Sequence, residues 1–378
     1  MKLVIAQANL VLRGGAERVV LKIAEHYKAK IYTAEYARDR TFSEFANLDV
    51  EEIGRSAFSK ILPYGRVMQG LNYGMSFYNY KLKEDYDIIN AHIAPSHWIR
   101  NKNDRVLWYC HTPLRDVYDL YEYRLSIRKA YQKPLYMVGA KAVRAIDKGV
   151  VKKIEGIVAN SNNTKVRIEK YYKRDALVLN GGVEYEKFKN NGNDKYFLYV
   201  SRISPNKRQD YVIRAFELFG KKVKGYKLVI AGDISNDKFY VDYYNEIAEL
   251  ANKVGNVKFM IGRPDSEIID LYSRATAVLF AAVDEDYGLI PLEAMASSKP
   301  IISVNEGGPK ETVLDGKTGY LVNSVQEMAE KMQYIAEHPK HAEELGKNGR
   351  RRVIEKYSWK HFFFEYDKIL RKFKKQVL

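Results

Sequence analysis

Two glutamates and two cations have residue types and spacings that suit an elongated, partly anionic ligand. Glu285 and Glu293 flank a glycine and a proline in EDYGLIPLE, and Arg202 and Lys207 stand five positions apart in SRISPNKRQD. Carboxylates accept hydrogen bonds from hydroxyl groups, and two cations could hold a diphosphate and stabilise it as it departs. Spacing alone also allows a catalytic carboxylate pair, or polar ends of a surface turn with solvated cations.

Two further features are weaker on their own. Gly14-Gly15 precedes a predicted helix that begins near Ala16, where backbone N–H groups could approach an anion. A tight turn is the commoner use of such a pair, and the absence of a full G-x-G-x-x-G pattern disfavours a dehydrogenase. His111, in YCHTPLR, suits either a fixed structural role or a place in the site, and we interpret His92 in YDIINAH as structural.

The elements that must position these residues are short apolar runs alternating with longer amphipathic stretches. This alternation is typical of βαβ units in parallel sheets covered on both faces. It predicts an α/β protein with two doubly wound sheets. The predicted strands lie in KLVIAQ, AKIYTAEY, YDIINAH, RVLWYCH, GIVANS, YFLYVSR, KLVIAGD, NVKFMIG, AVLFAA and PIISVN.

The apolar periodicity stops in residues 178–195, between the first five and the last five predicted strands. This segment is rich in Gly, Asn and charged residues. We therefore predict a Rossmann-like domain over 1–181, a second over 182–356, and a C-terminal helix over 357–378 that packs back on the first. Two such domains would face each other across a cleft. The polar motifs follow predicted strands, where open parallel sheets bind ligands.

Composition bounds the class of protein. The 378 residues are 46% hydrophobic and 29% charged, with no long uncharged apolar run and no signal-peptide cleavage pattern, so we expect a cytoplasmic protein. Cys110 is the only cysteine, which excludes a disulfide framework and a cysteine-rich metal site. The net charge of +16 favours acidic partners such as nucleotide phosphates, anionic lipid or nucleic acid.

Residues 121–153 mix tyrosines and apolar residues with many lysines and arginines. Such a segment favours an anionic membrane surface, which would make the protein peripheral on the inner face of the cell membrane. An amphipathic helix packed on its own sheet, with a solvated basic face, explains the pattern equally well.

Taken together, these motifs resemble those of the retaining GT-B glycosyltransferases of glycosyltransferase family 4. The family's E-x7-E pattern is matched by Glu285 and Glu293 and continues through EAMA and PIISVNEGGPKETVLDGKTGYLV. The Gly-Gly loop, NSNNTK, NGGVE, SRISPNK and the terminal YSW also match in order, so the resemblance covers essentially the whole chain.

The resemblance implies a role for each matched residue. Arg202 and Lys207 would grip the donor diphosphate, Glu293 the ribose hydroxyls, and Glu285 the hydroxyls of the transferred sugar. The backbone of Gly15 would approach the donor phosphates and the acceptor, and His111 would contact the donor sugar. Backbone amides near the first glutamate would also bind the sugar, at Asp286, Tyr287, Gly288 and Leu289.

The resemblance also implies a reaction. A hexose would move with retention of configuration and without a metal or cofactor, from a nucleotide-sugar donor to a saccharide or lipid-linked saccharide. WYCHTPLRDVYD and SRISPNKRQDYVIRAF look most like the mannosyltransferase branch, whose donor is GDP-mannose, and a UDP-sugar such as UDP-glucose is the alternative. A nucleic-acid-binding protein is a remote rival, because the basic and aromatic residues form no recognised module.

Overall fold

A computed structural model describes residues 1–54 and 66–377, with the side chains of residues 66–69 left undescribed. The chain divides into two compact units, one formed by Met1–Asn180 with Phe364–Leu378 and the other by Gly181–Phe363. Within the described part of the chain, every helix is too short or too polar to cross a bilayer.

The first unit is built on a seven-stranded parallel sheet with the strand order β3-β2-β1-β4-β5-β6-β7. Its strands are β1 (Leu3–Gln7), β2 (Lys30–Thr33), β3 (Val50–Glu52), β4 (Ile88–Ala91), β5 (Val106–Cys110), β6 (Gly156–Ala159) and β7 (Leu177–Val178). Its helices are α1 (Gly15–Tyr27), α2 (Arg66–Asn79), α3 (Tyr121–Ser126), α4 (Lys133–Val151) and α5 (Asn162–Tyr172).

The second unit is built on a six-stranded parallel sheet with the order β10-β9-β8-β11-β12-β13. The strands are β8 (Tyr196–Val200), β9 (Lys227–Gly232), β10 (Val257–Ile261), β11 (Ala277–Phe280), β12 (Ile301–Val304) and β13 (Gly319–Val322). The helices are α6 (Gln209–Lys222), α7 (Lys238–Val254), α8 (Asp265–Arg274), α9 (Leu289–Ala296), α10 (Pro309–Thr312), α11 (Val325–Glu337) and α12 (Pro339–Lys356).

These two sheets confirm the predicted α/β class. The central strands β1, β4, β8 and β11 are buried along their lengths except for Val200 at the end of β8, which matches their near-continuous apolar sequences. In each sheet the strand order reverses once, between β1 and β4 and between β8 and β11. Ligands of doubly wound sheets bind beyond the carboxyl ends of the strands at such a reversal.

The chain passes between the units at Asn180 and Gly181 and returns within the last helix, α13 (Trp359–Val377). Much of the segment predicted as a linker packs into the second unit, because the side chains of Val183 and Phe188 are buried in its core. Residues of α13 from Phe364 onward belong to the first unit, where Asp367 accepts a hydrogen bond from Tyr27 at 2.8 Å. Leu378, which ends the predicted helix, lies outside the described residues.

A buried carboxylate fixes α4 within the first unit. Asp147 is fully buried and accepts hydrogen bonds from His97, Trp98, Tyr118 and Tyr172 at 2.7 to 2.9 Å. Burial alone would raise the pKa of Asp147, but these hydrogen bonds outweigh it and lower the pKa. The ionised carboxylate is therefore the form that suits this network.

We expect Asp147→Asn to lower the free energy of unfolding by about 3 kcal/mol, because an amide nitrogen would face donors and leave one of them unpaired. Chemical denaturation of the purified protein measures this. Asp175→Asn, the same change on an exposed side chain, is the matched control and should leave the free energy of unfolding nearly unchanged. Equal stability of the two variants would contradict the account.

Candidate active site

Two loops of the second unit bring the predicted cations and the first glutamate together. The loop after β8 carries Arg202 and Lys207, and the loop after β11 carries Glu285. The backbone N–H of Val283 donates to the carbonyl of Asn206 at 2.9 Å, which ties the two loops to each other. Because β8 and β11 are neighbours at the strand-order reversal, these residues lie where a doubly wound sheet binds ligands.

Lys207 and Glu285 form an ion pair, in which the Lys207 ammonium donates to the Glu285 carboxylate. Both side chains are partly accessible to solvent. The pair joins a residue predicted to hold phosphate to one predicted to hold sugar. Arg202 is exposed and makes no ion pair with the residues that the structure describes. A guanidinium and an ammonium thus lie on one loop, and the ammonium contacts a carboxylate of the neighbouring loop.

The backbone around Glu285 is held in an uncommon conformation. Asp284 has a φ of 40° and Gly288 a φ of 82°, in the left-handed region that non-glycine residues rarely adopt. The loop after β12 packs directly on this segment, and the N–H of Gly308 donates to the Glu285 carbonyl at 2.8 Å. A Cβ at Gly307 would lie only 2.4 Å from that same carbonyl oxygen. Glycine at 307 is therefore required for the close approach that fixes Glu285.

Glu293 lies on the first turns of α9, whereas Glu285 precedes that helix in its loop. Tyr272, a fully buried residue of α8, donates a hydrogen bond to Glu293 Oε2 at 2.8 Å. Burial and the adjacent carboxylate both raise the pKa of Tyr272, so its hydroxyl keeps its proton. In these contacts the two glutamates have different partners, Lys207 for Glu285 and Tyr272 for Glu293.

The segment between the glutamates places its backbone beside Glu285. Asp286, Tyr287 and Gly288 form the turn that leads into α9, which begins at Leu289. The Tyr287 ring is buried and its hydroxyl donates to the Gly181 carbonyl at 2.7 Å. The side chain of Tyr287 is therefore used for packing.

The glycine pair of the first unit lies at its own strand-order reversal. Gly14 is the N-cap residue of α1, and Gly15 is its first residue, one position earlier than predicted. The Glu17 carboxylate packs against Gly14, since a Cβ there would lie 2.4 Å from Glu17 Oε2. A carboxylate therefore already lies near this helix N-terminus.

His111 directly follows β5 and is 9% exposed, while His92 directly follows β4 and is fully buried. Their rings are joined by a hydrogen bond of 3.1 Å between His92 Nδ1 and His111 Nε2. Burial lowers the pKa of His111 to about 3 and that of His92 well below its usual value. Both imidazoles are neutral at physiological pH.

Several neighbours of the site were not predicted from the sequence. Tyr272 had no local signal, because its helix reads as an ordinary amphipathic stretch. Glu306 and Gly307 did have a local sequence signal, because they follow the apolar run IISV just as the other motifs follow predicted strands. In the structure Glu306 pairs with Arg208 at 2.7 Å, which anchors the loop after β12 to the loop that carries the two cations.

Two family models match the chain. One, described as "Glycosyltransferase Family 4", matches residues 13–187, and the other, described as "Glycosyl transferases group 1", matches residues 183–352. The chain belongs to glycosyltransferase family 4. It is a glycosyltransferase, and the motifs around Glu285 and Glu293 lie within the second matched range.

Curated relatives of this family 4 glycosyltransferase include alpha-1,3/1,6-mannosyltransferases. The ALG2 protein of Dictyostelium discoideum is 27% identical, with 95% of each chain covered. Human ALG2 is 25% identical, with 91% of this chain and 90% of that protein covered. This glycosyltransferase is therefore mannosyltransferase-like along nearly its whole length.

Solved structures establish its GT-B fold. Anabaena HepE, in complex with UDP and glucose, has a TM-score of 0.76 and 17% identity, with 98% of this chain and all of that chain covered. A sucrose-phosphate synthase from Thermosynechococcus elongatus gives the same TM-score and identity. At this level of identity the likeness concerns the fold alone.

Proposed function

We propose that this glycosyltransferase moves a hexose from a nucleotide-sugar to a hydroxyl of a saccharide acceptor, with retention of configuration. The observation that carries the proposal is the contact of Lys207 with Glu285 across two joined loops, with Arg202 on the first of these loops and Glu293 on the following helix. Cations next to a carboxylate suit a ligand that is anionic at one point and rich in hydroxyls at the next.

In this proposal Arg202 and Lys207 bind the diphosphate and stabilise the negative charge that it gains as the bond to the sugar breaks. Glu285 accepts hydrogen bonds from the sugar hydroxyls, and Glu293, oriented by Tyr272, accepts them from the ribose. The acceptor hydroxyl attacks the anomeric carbon from the face that the diphosphate leaves, and its proton passes to a phosphate oxygen. These charges come from protein side chains, so we propose that no metal or cofactor is required.

We propose GDP-mannose as the donor. The support is the similarity to alpha-1,3/1,6-mannosyltransferases over nearly the whole chain. A UDP-sugar is the second candidate, supported by the fold shared with HepE, which was solved with UDP-glucose.

A thermal-shift panel with GDP, UDP, ADP and their sugar conjugates tests the donor. A ligand that binds only the folded protein stabilises it by about 2.7 kcal/mol at a concentration one hundred times its Kd. We expect the largest increase in Tm with GDP and GDP-mannose. An increase with UDP but not with GDP would reject our choice of donor, and no increase with any nucleotide would reject the site.

We further propose that the acceptor is reached at an anionic membrane surface. The inner face of α4 packs on the core of the first unit through Ala140, Val143 and Val150. The outer face is also apolar, because Leu135 is 76% exposed and Val138 is 69% exposed. A solvated basic face does not explain this second apolar stripe.

Exposed lysines lie in the same segment as that stripe. Tyr131, just before α4, is 74% exposed, and Lys129, Lys141 and Lys148 are exposed on the same segment. These lysines form no ion pair with any residue in the described part of the chain. Exposed apolar residues in one segment with lysines that form no such pair fit the boundary between anionic headgroups and acyl chains. A lipid-linked saccharide would be presented there.

We expect the protein to float with liposomes that contain anionic lipid and to bind neutral liposomes far less. Leu135→Glu combined with Val138→Glu should weaken partitioning about 10²- to 10⁴-fold, because each buried apolar side chain contributes about 1.5 to 3 kcal/mol. Val166→Glu, on another exposed apolar residue of the first unit, is the matched control and should bind as the unmodified protein does. Absence of lipid-dependent flotation would remove the membrane from this proposal.

A further inference from the structure

A chain of buried hydrogen bonds leads from His111 through β4 to the C-terminal helix. His111 Nε2 contacts His92 Nδ1 at 3.1 Å, and His92 Nε2 contacts Asn90 Oδ1 at 2.7 Å. The hydroxyl of Tyr366, on α13, also hydrogen-bonds Asn90 Oδ1. All of these residues belong to the first unit, and Asn90, His92 and Tyr366 are fully buried.

The direction of each bond follows from the Asn90 amide. Its Nδ2 lies 3.1 Å from the Leu107 carbonyl oxygen, which can only accept a hydrogen bond. The amide nitrogen must therefore face Leu107, and Oδ1 must face His92 and Tyr366. A reversed amide would place two oxygens against each other at Leu107 and a donor against the Tyr366 hydroxyl.

The amide orientation then fixes the protons on both imidazoles. Asn90 Oδ1 accepts only, so His92 Nε2 carries a proton and donates it. In a neutral His92 ring Nδ1 is then unprotonated and must accept a hydrogen bond from His111 Nε2–H. In a neutral His111 ring the remaining nitrogen, Nδ1, is in turn bare. Burial, which lowers the pKa of both rings, supports this neutral state.

We propose that His92 is a positioning residue that, with Asn90, locks His111 in the tautomer whose Nδ1 is a hydrogen-bond acceptor. His111 Nδ1 bonds to no residue among those the structure describes, and it is not one of the side-chain atoms closed off from solvent. A bare ring nitrogen accepts from a hydroxyl, as a sugar would provide, and cannot donate to a phosphate or carboxylate oxygen.

This inference rests on the proposed function for the identity of the ligand, but the tautomer itself does not. It gives His111 a defined part in the proposed reaction, namely to accept a hydrogen bond from a sugar hydroxyl. It also gives α13 a second task besides packing, because Tyr366 helps to hold the Asn90 oxygen toward His92. Residues at the ends of β4 and β5, together with α13, thus determine the protonation of His111 Nδ1.

The tautomer is measured directly on the unliganded protein. Long-range 1H–15N correlation spectra of protein labelled in its seven histidines, with His111 assigned from a His111→Gln spectrum, distinguish the two ring nitrogens. At pH 7 we expect His111 to be protonated on Nε2 and bare on Nδ1. A proton on Nδ1, or on both nitrogens, would overturn the proposal, whether or not the protein proves to use a nucleotide-sugar.

Two variants at His92 separate positioning from packing. Glutamine donates to Asn90 and accepts from His111, so His92→Gln should keep the tautomer, whereas His92→Phe should leave His111 in a mixture of tautomers. We expect His92→Phe to lower kcat/KM about 10- to 100-fold, the usual scale when a partner that orients a histidine is lost, with His92→Gln largely retaining activity. Binding of the nucleoside diphosphate should not change in either. Equal spectra and equal kcat/KM for the two variants would contradict the positioning role.

Discussion

Glu285→Gln is expected to lower kcat about 10²- to 10⁴-fold while leaving the affinity for the nucleoside diphosphate unchanged. The amide has the shape of the carboxylate but has one acceptor oxygen and no charge. Two charge-assisted hydrogen bonds to the sugar would be lost, each worth about 1.5 to 3 kcal/mol, and about 1.4 kcal/mol corresponds to a tenfold change in rate. Initial rates at saturating donor, together with calorimetric titration of GDP, measure the two effects separately.

Glu249→Gln provides the matched control for this change. Glu249 is exposed on α7 of the same unit, and its substitution removes the same charge without touching the loops after β8 and β11. The Glu249→Gln variant should have the same kcat as the unmodified protein. Unchanged turnover in Glu285→Gln as well would show that this carboxylate does not act on the sugar.

Arg202→Ala is expected to lower kcat about 10²- to 10³-fold, the range seen when one stabilising group is removed from the developing charge in an active site. Lys207→Met should lower kcat by a similar factor, for two reasons. It removes a cation from the proposed diphosphate site and also the ammonium that pairs with Glu285. Both variants should bind the diphosphate more weakly, because a charged hydrogen bond to phosphate contributes in the bound ground state as well.

Arg214→Ala is the control for Arg202→Ala, since it deletes an exposed arginine on α6, away from the loop after β8. Its turnover and nucleotide affinity should both be unchanged. A double-mutant cycle between Lys207 and Glu285 should show coupling of about 0.5 to 3 kcal/mol, as expected for residues in contact. Additive effects of those two substitutions, or no effect of Arg202→Ala, would count against the proposed diphosphate site.

The fold was largely predictable because buried parallel strands have near-continuous apolar sequences. All ten predicted runs contain strands of the two sheets. The three strands that were missed have weak or interrupted apolar patterns. β3 contains two glutamates at a sheet edge, β7 has two residues, and β13 begins with a glycine. Edge strands are covered on fewer sides, so their sequences need less apolar character.

The candidate site was predictable in its motifs but not in its pairings. The structure places Arg202, Glu285 and His111 after strands, as predicted, because a parallel sheet brings all its carboxyl ends to one edge. Their roles stay predictions. The Lys207–Glu285 pair and the Tyr272–Glu293 bond join positions 78 and 21 residues apart, and no local pattern encodes such contacts. His92 was interpreted as structural, and only the contact with His111 suggests a link to the site.

Calorimetric titration of two variants with two ligands tests whether Glu285 and Glu293 hold separate parts of one nucleotide-sugar. Glu293→Gln should weaken GDP and GDP-mannose by the same factor, because both ligands carry the ribose. Glu285→Gln should weaken GDP-mannose and leave GDP unchanged, because only the conjugate carries the sugar. If both variants lose affinity for both ligands equally, or if neither does, the two glutamates do not divide the ligand as proposed.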